Sequence, residues 1–217
     1  TFQGLIPTGA SLSSIGTVRV EIYRVFPADS TNPPSGNVPT RVNSPSDVAF
    51  AERESGGAGL TFTPGIVQPS FTANNSVLNG INKIPNQLTG GEGAVTGQQV
   101  QFNVLFTTPF TLPADHYFFV PQVELSSGDF LWLSSIRPIV APGTPFAPDL
   151  QSWIRNEDLA PDWLRIGTDI VGGTTFNAAF TLSGDLAPVP EPATLLLCGI
   201  TMAGLGLSTR RRPRGQR

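Results

Sequence analysis

Three acidic side chains, Glu157, Asp158 and Asp162, fall within six positions of one another, with Trp153 and Trp163 on either side. Carboxylates beside indoles suit three kinds of chemistry. Two of them could act as acid and base of a glycosidase while the tryptophans stack on sugar rings. They could instead hold Ca²⁺ together with Asn156 and backbone carbonyls, or they could line a carbohydrate-binding surface with Trp132, Trp153 and Trp163. The plainest alternative is a solvated acidic loop capping a core that contains the tryptophans. That alternative carries the most weight and hydrolysis the least, because the Asp-x-Asp-x-Asp spacing of a calcium loop and every standard catalytic signature are missing. No catalytic residue, metal or cofactor is assigned, and the chain is expected not to be an enzyme.

The single histidine, His116, follows Asp115 directly. In a strand, adjacent side chains point to opposite faces, so this pair does not make a dyad. One histidine, and one cysteine that lies in the C-terminal apolar stretch (Cys198), cannot build a zinc site. Charge excludes a further class of partner. Residues 1–189 hold 15 acids and 8 bases, and residues 190–217 hold one acid and five arginines; the sums of −7 and +4 give the net −3. An acidic body whose only lysine is Lys83 is not a nucleic-acid binder. With no thiol or disulfide in that body, its fold must rest on a hydrophobic core, for which roughly 190 residues suffice.

The C-terminus has a different character. Pro190-Glu191-Pro192 precedes an uncharged run from Ala193 to Leu207, carried by Ala193, Leu195, Leu196, Leu197, Ile200, Leu205 and Leu207. Arg210, Arg211 and Arg212 follow. The prolines fix φ and hold the motif extended outside a helix start, where Glu191 complements the positive end of the helix dipole. A helix over 193–209 is predicted to enter the membrane. The fifteen residues from Ala193 to Leu207 span roughly 23 Å, and snorkelling arginines make up the shortfall against the bilayer core. The arginines stop transfer on the cytoplasmic side.

This order of parts resembles the PEP-CTERM sorting signal of bacterial exported proteins. The resemblance implies that an exosortase, a membrane-embedded transpeptidase-like enzyme, recognises Pro190, Glu191 and Pro192. It also implies transient anchoring in the inner membrane, then processing and release to the cell surface or extracellular matrix. Export further implies a signal peptide already removed from the start at Thr1, or a fragment of a longer precursor.

Strand signals dominate the rest. Val18–Tyr23 and Val100–Phe106 alternate with period two. Thr175–Leu182 repeats the pattern, and His116–Leu125 is β-rich, with Pro121 marking an edge or bulge. Phe130–Leu133 follows a Ser126–Asp129 turn and reads as the second arm of a hairpin. Shorter strands are expected at Val48–Arg53, Leu60–Thr63 and Ser70–Ala73, and a helical turn at Ser152–Asn156. Pro27–Pro39 and Asn74–Gly97 read as long loops.

The expected fold is therefore an all-β antiparallel sandwich, jelly-roll or immunoglobulin-like, over 1–187, then the sorting signal over 188–217. The segments Tyr117–Val123, Phe130–Ser134, Asp149–Arg155, Pro161–Gly167 and Thr175–Phe180 also resemble an uncharacterised domain of other PEP-CTERM proteins. That likeness implies fold and location without chemistry. The expected role is structural or adhesive, in the exopolysaccharide matrix. The alternatives are a carbohydrate-binding module and, behind it, a glycoside hydrolase.

Overall fold

The computed structural model describes residues 1–57, 59–78, 88–135, 151–156, 159–173 and 175–185. The expected C-terminal helix lies outside them. Contacts group Thr1–Thr181 as one unit and Leu182–Arg217 as a second. Among the described residues the helical elements are a three-residue 3-10 turn and a π-type turn at Ile166–Val171, and neither is long enough to cross a membrane.

Two antiparallel sheets carry the first unit. One has the order β4 (Leu60–Ala73), β5 (Val95–Phe106), β1 (Phe2–Ile6), β7 (Leu131–Trp132). The other has β3 (Ala51–Glu54), β2 (Ile15–Arg24), β6 (Tyr117–Leu125). The period-two pattern sends Val100 and Phe102 of β5 inward, where they meet Phe2 and Ile6 of β1 and Val18 of β2. Phe2 and Phe102 are directly opposite across the β1–β5 pair, and their rings stack at 4.8 Å. Farther along the sheets, Val20, Ile22 and Leu60 form a second buried cluster with Phe62, Val104 and Phe119 around it. The all-β antiparallel expectation holds.

Four local expectations change. β4 is one strand of 14 residues rather than two short ones, interrupted by register shifts around Gln68. The Ser126–Asp129 turn closes no hairpin: β6 pairs with β2, whereas β7 crosses to the other sheet and sets Leu131 opposite Leu5. The crossing puts Phe130 over β1, edge-on to Phe2 and Phe102, in space that a Cβ on Gly4 would fill. Ser152–Asn156 holds a short strand, β9 (Trp153–Ile154), not a helical turn. It pairs with β10 (Leu164–Arg165), which shows a tertiary partner overriding a local preference. The strand expected over Thr175–Leu182 shrinks to β11 (Asn177–Ala178), because its backbone partners are divided between β8 (Ser134–Ser135) and the chain's first residues. Gln3 N donates to Ala179 O and Thr181 N donates to Thr1 O.

β1 itself was not foreseen. Leu5 and Ile6 are adjacent and both buried, so the strand has no alternation to read.

Candidate functional site

The residues from Gln151 to Thr181 form a strap beside the sandwich. It has its own small core of Leu159, Leu164 and Ile170, joined by Val38 and Val77 from the two long loops. Those loops are therefore anchored: Gly90 N donates to Ile170 O, and Ser35 N donates to Asp162 Oδ2 at 2.8 Å.

Between strap and sandwich runs a cleft of about 1070 Å³. Its walls come from β1, β6, β7 and β9 and from the residues around β11. β6 pairs only with β2 among the described residues, so its outer edge faces this space.

Aromatic rings gather at two stations in the cleft. At one, Trp153 meets Phe118 edge-on at 6.5 Å, and His116 stacks on the other side of Phe118 at 5.0 Å. Burial pushes the His116 imidazole below its ordinary value, favouring the neutral ring. At the other, Trp132 lies 6.0 Å from Phe180, and Phe180 stacks on Phe119 at 5.0 Å. Trp132 Nε1 donates to Ala179 O.

A polar chain on the outer face of β2 also lines the cleft. Arg155 Nη2 donates to Tyr23 Oη at 3.1 Å, and Tyr23 Oη donates to Glu21 Oε2 at 2.8 Å. Gln122 Nε2 donates to that same oxygen, also at 2.8 Å. Arg155 sits 4.4 Å over Trp163 and gives its other Nη to Asp47 O.

Burial, then the hydrogen bond to Glu21, push the Tyr23 phenol up to about 12. The fold thus favours the neutral phenol. This contribution to stability is complete below the ordinary value of 10.0 and is lost as pH climbs through about 12. An absorbance titration should show one phenol ionising near pH 12, and Tyr23→Phe should remove that phase. A profile unchanged by the substitution would contradict the assignment.

The residues singled out from sequence separate. Trp132 and Trp153 line the cleft. Trp163 lines it too but is only 5% exposed, edge-on to Tyr23 at 5.1 Å, with Nε1 donating to Ser46 O. Asp162 does not line the cleft. It is fully buried, with Oδ1 2.9 Å from Arg41 Nε in a close charge pair that lacks hydrogen-bond alignment. Its Oδ2 takes the Ser35 backbone and hydroxyl. Glu157, Asp158, Pro190, Glu191, Pro192, the membrane segment and Arg210–Arg212 lie outside the described residues.

Glu21, Tyr23, Gln122 and Arg155 were not singled out from sequence. The alternation of β2 places Glu21 and Tyr23 together on its outer face, but nothing local says that this face is covered by residues 130 positions away.

No curated protein and no solved structure matches the chain. Residues 188–212 match the family model described as the PEP-CTERM protein-sorting motif. The motif supports exosortase-dependent sorting of an exported protein, so the chain carries a PEP-CTERM sorting motif at residues 188–212.

Proposed function

We propose that the chain is an exported adhesive component of the bacterial surface matrix, delivered by exosortase processing of its C-terminal signal, whose β domain grips a glycan in the strap-bounded cleft. One observation carries the glycan reading: two separate aromatic stations, around Trp153 and around Trp132, line one cleft together with a polar chain. Sugar rings present apolar faces that stack on aromatics and hydroxyl rims that need paired donors and acceptors, and the cleft supplies both. The Ca²⁺ reading has less support, because Asp162, one of its three carboxylates, is buried in an ion pair with Arg41.

The hydrolase reading also has less support. A glycosidase needs two carboxyls flanking the scissile bond, and among the described residues lining the cleft Glu21 is the one carboxylate.

The test is retention of the chain on immobilised exopolysaccharide from a bacterium that makes such a matrix. Trp153→Ala is expected to weaken retention at least about fivefold, the threshold effect of truncating an important interface side chain. A Trp153→Ala chain that melts normally and is retained as strongly as the parent would refute the cleft as the binding surface.

A further inference from the structure

The charges and unpaired polar atoms of the cleft point to a particular class of glycan. Among the described residues lining it, Arg155 is the one guanidinium and no lysine is present. That guanidinium is committed: one Nη binds Tyr23 Oη, the other binds Asp47 O, and the group lies over Trp163. Glu21 supplies the carboxylate, already accepting from Tyr23 and Gln122. A uronate or sulfate placed here would enter beside Glu21 without a cation to offset its desolvation.

The unsatisfied groups are all neutral. Gln99 Oε1, Ser152 Oγ and Trp153 Nε1 are buried and have no hydrogen-bond partner. All three residues line the cleft, and Gln99 is only 8% exposed. Its amide is held in place by donating Nε2 to Gln3 Oε1 at 2.9 Å, which leaves Oε1 as an oriented acceptor. The set comprises one acceptor, one hydroxyl able to play either part, and one N–H donor. That mixture complements the alternating hydroxyls of a sugar ring, whereas an anion needs donors only.

We infer that the cleft selects an uncharged glycan over a uronic-acid or sulfated one. The inference rests on the glycan reading of the cleft and adds the class of ligand.

Affinity electrophoresis of the full chain in mild detergent tests it, with neutral glucan, mannan and galactan in one set of gels and alginate and polygalacturonate in another. A neutral polymer is expected to retard the chain, with loss of retardation on Trp153→Ala. The polyanions should bind about tenfold more weakly or not at all, as an uncompensated carboxylate beside Glu21 requires. Glu21→Gln should narrow that difference. Polyanion binding that is as tight as the best neutral polymer and sensitive to Trp153→Ala would overturn the selectivity while leaving the glycan reading intact. A failure of every polymer, neutral and anionic, would overturn both. Polyanion binding insensitive to Trp153→Ala lies off the cleft, and neutral binding that remains sensitive then upholds the inference.

Discussion

A chain carrying Pro190→Ala and Pro192→Ala together should remain full-length in the membrane fraction of a bacterium with the cognate exosortase, and the released form should disappear. Each proline holds φ near −65° and withholds a backbone N–H, so the motif stays extended where an enzyme can grip it. Alanine restores the missing donors and carries the best helix propensity, so the helix that the sequence predicts from Ala193 would grow back through residue 190. The motif would then be lost as an extended segment, while the apolar run and Arg210–Arg212 are expected to keep the chain in the bilayer. Fractionation by immunoblot, with mass spectrometry of the released C-terminus, reads the outcome. Release of a form with an unaltered C-terminus would show that the Pro-Glu-Pro element does not direct processing. The same release from cells lacking the exosortase would show that the enzyme is not responsible.

Asp162→Ala is expected to cost about 3–5 kcal/mol of folding stability, the usual penalty for leaving a buried charge without its partner. Arg41 is 5% exposed at its side chain and Asp162 is 0% exposed, so water cannot replace the lost carboxylate. The Arg41 guanidinium lies 4.0 Å over the Phe26 ring, a contact too weak to compensate. Ser35 also loses the acceptor for its backbone N–H and hydroxyl, which frees the loop that carries Val38 into the strap core. Urea unfolding at constant m-value measures the change.

Adding Arg41→Met to Asp162→Ala should recover part of the loss, because an apolar substitute for a buried pair is often neutral or better. A single-variant loss below about 1 kcal/mol would place the pair in the solvent-screened class of surface ion pairs. Asp162 illustrates how its neighbourhood misleads. By residue type it belongs with Glu157 and Asp158 as a ligand or catalyst, yet burial makes it a clamp between a loop and the strap.

Trp163 tells the same story. As one of two tryptophans flanking an acidic stretch it looked like a sugar platform. It does line the cleft, but only 5% of it is exposed, its indole packed on Tyr23 under Arg155 and hydrogen-bonded to Ser46. Trp153, ten residues earlier, lines the same cleft and is less deeply buried. Nothing in the spacing distinguishes the two. The difference arises because β9 and β10 pair antiparallel and the chain beyond each is held by different neighbours: Ser152 N donates to Phe176 O, and Asp162 is pinned to Arg41.

The amino-acid sequence by itself determined two things about this protein. Contiguous signals need no folding partner to be read, so Pro190-Glu191-Pro192, the apolar run and the closing arginines identify the sorting motif directly. Period-two alternation likewise marks β2 and β5, because a pleated backbone with one buried face imposes it residue by residue. Only the tertiary structure decided which strands pair, why Leu131 meets Leu5 instead of folding back on β6, and how Gln3, Glu21, Gln99, Gln122 and Arg155 come to line one cleft. Those choices depend on long-range burial of Phe2, Phe102 and Phe130 and on satisfying backbone groups divided between the chain's first strand and its strap. Many of these interactions join residues a hundred or more positions apart, a range over which local periodicity carries no information.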